Sequence, residues 1–281
     1  MSVHVLTSPL LRREGFLHGF STRRGGVSPA PFATLNLGFP SALETHSSEH
    51  AMEGDLGELR ANEPARIEEN ITRLLDACGM AERLPTRVRQ VHGAECFERN
   101  RNTCPGLVEA DAILSGDPSE AILVRTADCV PILIASPRTG RVAAVHAGWR
   151  GLAAGVIAET VERLDPSPDT RDELIASIGP SIGVDVYEVG LEVAARFADV
   201  GLGECVRSMP AGAKPHLDCH AAARSLLVRA GLRADRVDGD PLCTFANERD
   251  FFSARRDGPI SGRMAAVIGA RVSRPASPRR A

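Results

Sequence analysis

The sequence predicts an α+β (mixed α/β) chain, with mixed β-sheets flanked by helices, and three observations point there. Short apolar, β-prone runs recur through the middle of the 281 residues. Segments with apolar residues three and four apart alternate with them, the period of a half-buried helix. Strand neighbours joined by tight turns are mixed with strands joined through helices, a connectivity that suits mixed sheets better than an all-parallel one.

Along the chain, the opening MSVHVLTSPLLRREGFLHGF does not read as a secretory signal, because Ser8, Pro9, Arg12, Arg13 and Glu14 interrupt its apolar residues. From Pro40 to Pro64 small, acidic and histidine residues replace apolar runs, which predicts a surface excursion with room for a short helix. Ile67, Ile71, Leu74 and Leu75 then share one helical face, with Gly79 as the stop. Ala121–Thr126 and Val130–Ser136 read as strands, hairpin-like neighbours around Ala127-Asp128-Cys129, and Arg141–His146 as another strand ending at Ala147-Gly148. A helix is expected from about Gly151, because Leu152, Val156, Ile157, Val161 and Leu164 fall on one face, and Pro166 limits it. Leu174–Ile178 reads as a strand closed by Gly179-Pro180, Glu188–Val200 and Ala221–Ala230 as helices, and Met264–Val272 as the last strand. The basic, proline-containing tail 273–281 is expected to fray.

Composition narrows the function classes. With 43% hydrophobic and 25% charged residues the chain is expected to be globular, and a net charge of −3 gives no reason for a nucleic-acid or membrane partner. One Trp, one Tyr and nine Phe make poor stacking platforms for single strands. The seven cysteines are odd in number and irregularly spaced, without a C-x-x-C pair, so reduced thiols and a cytoplasmic location are expected.

Three segments combine ligand-type side chains with tight turns: Gln90-Val91-His92-Gly93, Thr126-Ala127-Asp128-Cys129 and His146-Ala147-Gly148-Trp149-Arg150-Gly151. Two imidazoles and one thiolate, from His92, Cys129 and His146, suit a borderline-soft ion such as Zn²⁺, and three protein ligands leave a fourth position for a reactant. Such an ion lowers the pKa of bound water to about 7. The spacing matches no short zinc pattern, so two other readings stand beside this one. Each side chain can be an ordinary structural residue, or Cys129 can be a nucleophile with His146 as its base, making a metal-free cysteine hydrolase. Asp111 and Asp128 are equal candidates for holding a ligand imidazole by its other N–H. Arg23 and Arg24 before Gly25-Gly26, Arg150 between Gly148 and Gly151, and Arg255 and Arg256 are the cations available for an anion, with Arg150 the favoured one. His216-Leu217-Asp218-Cys219-His220 looks metal-binding, but Asp218 reads better as the N-cap of the helix that follows.

The motifs GFSTRRGGVS, LNLG, QVHG, EADAILSG, TADCVPILI, AAVHAGWRGLAAGV, IGPSIGVDVYEVG, LDC, CT and FFSARRDGPISGRMAAVI occur in this order over most of the chain. In them the chain resembles the YfiH family of laccase-domain (polyphenol oxidase) proteins, also described as purine nucleoside enzymes. The resemblance implies two mixed sheets packed centrally with helices outside, as a single catalytic domain over residues 1–272. It implies a metal, zinc or alternatively copper, on His92, Cys129 and His146. It implies phosphorolysis of adenosine, inosine and methylthioadenosine, and deamination of adenosine. The expected partners are therefore small nucleosides and phosphate, held by cations among Arg23, Arg150, Arg255 and Arg256, with Asp111 in support. Some members of the family are linked instead to editing of peptidoglycan precursors. Laccase chemistry needs several coppers, and the chain lacks the His-x-His pairs that would hold them. Two departures stand out: Ala254 replaces an aromatic before the paired arginines, and Ile71 replaces an arginine after Asn70.

Overall fold

The apolar strands assemble into two large mixed sheets in the computed structural model, which describes residues 2–39, 55–99, 108–210 and 212–271. The five-stranded sheet has the order β1 (Val5–Leu6), β2 (His18–Ser21), β13 (Met264–Ile268), β6 (Glu120–Thr126) and β3 (Leu84–Thr86). The six-stranded sheet has the order β12 (Val237–Asp238), β9 (Ile175–Ile178), β7 (Val130–Ala135), β8 (Val142–Ala147), β5 (Ala112–Ser115) and β4 (Cys96–Glu98). A small ribbon pairs β10 (Val206–Arg207) with β11 (His216–Leu217). Pairing is antiparallel at the centre of both sheets and parallel at β3–β6, β4–β5 and β12–β9.

Strand alternation explains why the sheets stack. In β6, Ile122 and Val124 point into a core shared with Leu133, Ala144 and Ile113 of the other sheet. Ala121 and Leu123, on the opposite face, pack with Ala265 and Val267 against Ile67, Ile71, Leu74 and Leu75. Those four come from α2 (Asp55–Ala77), which follows the short α1 (Pro9–Arg13). In β7, Ile132 and Ile134 face away from the first sheet, toward α3 (Trp149–Ala154), α4 (Val156–Leu164), α5 (Leu191–Asp199) and α6 (Cys219–Arg229). Both faces of each central strand are therefore buried, and burial of one such Leu or Ile stabilises by roughly 1.5–3 kcal/mol. The layers run helix, five-stranded sheet, six-stranded sheet, helices. Among the described residues no helix is long and apolar enough to cross a membrane.

Four sequence expectations need correction. α2 starts at Asp55, inside the stretch read as an excursion, and passes through Pro64; residues 40–54 lie outside the described set. The single helix expected from Gly151 is two, because Gly155 sits at φ 92°, a left-handed conformation that ends α3 and starts α4. The Glu188–Val200 helix begins only at Leu191, after Gly190. β6 and β7 are not a hairpin: Ala127, Asp128 and Cys129 carry the chain from one sheet to the other. The capping reading of Asp218 holds, since its carboxylate accepts from the Ala221 N–H at 2.8 Å. His216 lies in β11, so it does not share a helical face with His220.

The middle of α2 carries a buried polar bracket. Asn70 Oδ1 accepts from Val27 N–H at 2.9 Å, and its Nδ2 donates to Ser28 Oγ at 3.0 Å and to the Asn36 carbonyl at 2.8 Å. The Glu63 carboxylate accepts from Ser28 Oγ at 2.6 Å and Asn36 Nδ2 at 2.7 Å. Asn70 thus holds the GGVS and LNLG loops together, while Ile71 packs in the core. Asn70→Ala leaves these buried groups without partners and is expected to cost roughly 2–3 kcal/mol. Denaturant unfolding checks this; an unchanged midpoint would contradict it.

Candidate metal centre

The two sheets and the Gln90–Gly93 turn meet where the ligand-type residues lie. His146 is the penultimate residue of β8, and Cys129 immediately precedes β7, whose Val130 pairs with Ala147. Gly148 keeps this corner narrow: a Cβ there would stand 3.1 Å from both Cys129 Sγ and His92 Cδ2. The three side chains offer ligand atoms all within 4.8 Å of one another. The imidazoles of His92 and His146 meet edge to face, with centroids 4.8 Å apart. His146 is buried, Cys129 half-buried and His92 exposed, so the cluster is rooted on one side and open on the other.

Two aspartates hold the turns. Among the described residues, His92 (φ 61°) and Asp128 (φ 89°) are the non-glycine positions with left-handed backbone, a conformation that persists only where surroundings enforce it. For His92 the enforcer is Asp111, fully buried. Its carboxylate accepts from the backbone N–H groups of Val91 (3.3 Å), His92 (3.0 Å) and Gly93 (2.6 Å). The same carboxylate lies 2.8 Å from His146 Nδ1, so one anion sets the His92 turn and leaves His146 Nε2 for the cluster. Asp128 points elsewhere. It accepts from Thr244 Oγ1 (2.6 Å), Ser253 Oγ (3.1 Å) and the Arg255 N–H (2.7 Å), tying the 127–129 link to α7 (Ala254–Asp257). The structure thus separates two residues that sequence left equal.

The donor set fits a borderline-soft ion: two imidazoles, one sulfur and an open side. Burial alone would push the Cys129 thiol up, but His146 and His92 bring it below its ordinary range. Burial alone would lower His146, but Cys129 and Asp111 raise it. Burial would raise Asp111, and His146 with the Gly93 and His92 amides pulls it lower. Cys78, Cys96, Cys205 and Cys219 are pushed up by burial, so Cys129 stands apart from them. In metal-stripped protein, iodoacetamide labelling of Cys129 is expected to be nearly flat between pH 7 and 9, because its thiolate is already formed. An ordinary thiol in that range gains up to about tenfold per unit. Peptide mass spectrometry reads the rate; a tenfold climb per unit at Cys129 would refute the pairing with His146.

A cavity of about 380 Å³ opens beside the cluster, walled by Phe39, Gln90, Tyr187 and the arginines 125, 255 and 263, along with Asp128 and Ala254. Of the cations expected from sequence, Arg255 alone lines it, 5.0 Å over the Tyr187 ring and donating to the Glu188 carbonyl. Arg150 is exposed and stacks on Trp149 at 4.6 Å, off the cavity wall. Arg23 and Arg24 border a separate cavity. Arg23 donates to the Ala33 and Glu248 carbonyls and lies 4.3 Å over Phe252, and Arg24 pairs with Asp250 at 2.8 Å. The amides of Gly25 and Gly26 donate to Thr34 Oγ1, so no anion nest forms there. Arg256 ties the carbonyls of Thr244, Phe245 and Phe251 together and pairs with Asp257. Arg125, Arg263, Phe39 and Tyr187 were missed; the one sequence signal was a charged residue, Arg125, directly after the apolar run 121–124 and beside Thr126-Ala127-Asp128-Cys129.

The chain is similar to known proteins along most of its length. Residues 17–271 match the family model described as multi-copper polyphenol oxidoreductase laccase. A protein of Deinococcus radiodurans named purine nucleoside phosphorylase is 37% identical over 263 residues, covering 93% of this chain and 92% of its own. Purine nucleoside phosphorylase YfiH of Escherichia coli is 36% identical over 248 residues, covering 88% and 91%. The crystal structure of YlmD from Geobacillus stearothermophilus superposes with a TM-score of 0.79 at 26% identity, over 96% of this chain and 97% of that one.

Proposed function

The chain belongs to the YfiH family of laccase-domain proteins, and from that premise we propose that it is a zinc-dependent purine nucleoside enzyme. Its reactions are phosphorolysis of adenosine, inosine and methylthioadenosine to the free base and ribose 1-phosphate (or the methylthio analogue), and deamination of adenosine to inosine. The observation that carries the reading is the convergence of His92, Cys129 and His146 within 4.8 Å on the wall of a cavity of nucleoside size. The likeness to relatives named purine nucleoside phosphorylase supports the substrate class.

The chain's own residues divide the work. His92, Cys129 and His146 would hold the ion, zinc or alternatively copper, which when bound supplies Lewis acidity and polarises an oxygen in contact with it. Asp111 fixes the His146 tautomer and the His92 turn together. Phe39 and Tyr187 offer aromatic surface on the cavity wall for a purine. In phosphorolysis the C1′–N bond to the base breaks and a phosphate oxygen bonds to C1′. In deamination water supplies the oxygen at C6 and ammonia leaves.

Purified protein incubated with adenosine, with and without phosphate, tests the proposal. Adenine plus ribose 1-phosphate means phosphorolysis, inosine means deamination, and neither product would end the proposal. One observation favours a second reading, a metal-free cysteine hydrolase: Cys129, His146 and Asp111 form a nucleophile–base–orienter series, with His146 Nδ1 2.8 Å from Asp111. Full activity after chelation and metal analysis would select it. Among the described residues one His/Cys group of this kind is found, which gives no support to a multi-copper oxidase.

A further inference from the structure

A second cavity, of about 280 Å³, lies between the two sheets at their outer edge, where β1 and β2 meet β9 and β12. It shares no lining residue with the cavity beside the donor cluster. Leu6 and Phe20 wall it from the five-stranded sheet, Ser177 and Asp238 from the six-stranded one. Register explains the last pair. Asp238 lies beside Ser177 in the parallel β12–β9 ladder, so both stand on the face that Ile175 turns to the first sheet. Gly239 follows at φ 117°, where a Cβ would collide with the Ile178 carbonyl, and the turn it makes brings Asp240 to the same wall.

The charge on this wall has one sign. Two carboxylates line the cavity, and no arginine, lysine or histidine does. Asp238 is held in place, its Oδ2 accepting from Ser8 Oγ at 2.7 Å and from the Leu10 N–H at 3.1 Å. Its Oδ1 is buried and has no hydrogen-bond partner among the described residues. His18, joined to the same network, brings no compensating charge. Its Nε2 accepts from the Ser8 N–H at 2.7 Å while Nδ1 donates to the Phe16 carbonyl at 2.9 Å, an arrangement open only to the neutral ring. A buried carboxylate oxygen without a donor is costly, and a charge-assisted N–H bond relieves it. A calcium- or magnesium-type ion would want about six oxygen ligands, and Leu6 and Phe20 offer none. Apolar walls with two carboxylates suit a ligand that has one cationic end and a small apolar body.

We infer that this inter-sheet cavity is a second ligand site, for a small primary ammonium ion with an apolar body, seated by Asp238 and Asp240 against Leu6 and Phe20. The site is independent of the nucleoside chemistry proposed above.

Calorimetric titration of the full-length protein at neutral pH tests this, with benzylammonium as the probe and benzyl alcohol as its neutral counterpart. Benzylammonium is expected to bind saturably with Kd below about 1 mM. Benzyl alcohol should bind at least about tenfold more weakly, because it lacks the charge. Asp238→Asn and Asp240→Asn are each expected to weaken benzylammonium about 5- to 50-fold. Thermal midpoints report folding of both variants. No saturable binding up to about 10 mM would mean a cavity that holds only water, and would overturn the site. Equal binding of the alcohol, or unaltered affinity in both variants, overturns it too. Should Asp238→Asn fail to fold, the exposed Asp240 decides through Asp240→Asn and the comparison with the alcohol.

Discussion

Cys129→Ala is expected to leave purified protein without stoichiometric metal and to reduce nucleoside turnover at least about a thousandfold, the scale of several kcal/mol of lost Lewis-acid stabilisation. The substitution removes the only sulfur from a cluster whose remaining donors, His92 and His146, stand on different chain segments and would be left to hold an ion with two nitrogens. The fold should survive, because Cys129 is half-buried in a link and contributes little to either core. Elemental analysis alongside turnover separates the two readings of the site. Both expect the variant to be inactive, but the metal reading also expects chelated wild type to be inactive and zinc to restore it. A Cys129→Ala protein that kept one ion per chain and normal turnover would remove Cys129 from the centre.

Asp111→Asn is expected to act at a distance from any reactant. The carboxylate serves four donors: three successive backbone N–H groups at Val91, His92 and Gly93, and His146 Nδ1. An amide of the same size has one accepting oxygen and turns an NH₂ toward at least one of those donors. Metal affinity should fall about 10- to 100-fold, as for other groups that orient a ligand imidazole. Stability should fall by roughly 2–4 kcal/mol from buried donors left unmatched. The pH dependence has a definite sign. Folding lowers the Asp111 pKa, so its contribution is present above the ordinary carboxylate range and is lost as pH falls through the depressed value. The stability gap between wild type and Asp111→Asn is therefore full at neutral pH and narrows in acid. Urea titrations of apo protein at pH 7 and in the acid limb measure it; a gap independent of pH would show that the carboxylate charge is not what holds the turn.

The parts of this molecule legible in the sequence are those where one side chain meets one local rule. β6, β7 and β8 are apolar runs bounded by turns, and His92, Cys129 and His146 stand at strand–turn junctions where a side chain can project. The first turns of α2 were hidden because they lack apolar periodicity and contain Pro64, and the buried Glu63 and Asn70 of the same helix join polar loops instead of a greasy core. The break at Gly155 was hidden because the apolar stripe continues in phase across it. The arginines misled for a clear reason. Arg23, Arg150 and Arg256 sit beside glycines or other arginines, the pattern of an anion loop. Two of the guanidiniums are spent on main-chain carbonyls, and the third lies on Trp149. Arg125 and Arg263 lie far apart in the chain, and only the register of β6 on β13 makes them neighbours.

The three-residue passage from β6 to β7 has a mechanical side. Cys129 rides on the joint between the two stacked sheets, His146 on one of those sheets, and His92 on a turn clamped through Asp111 to that same sheet and through Gln90 to the other. Sliding one layer over its neighbour changes the separations among these three donors before it disturbs any single strand. An ion gripped there acts as a rivet through the laminate, so the temperature at which the layers part should climb with free metal concentration.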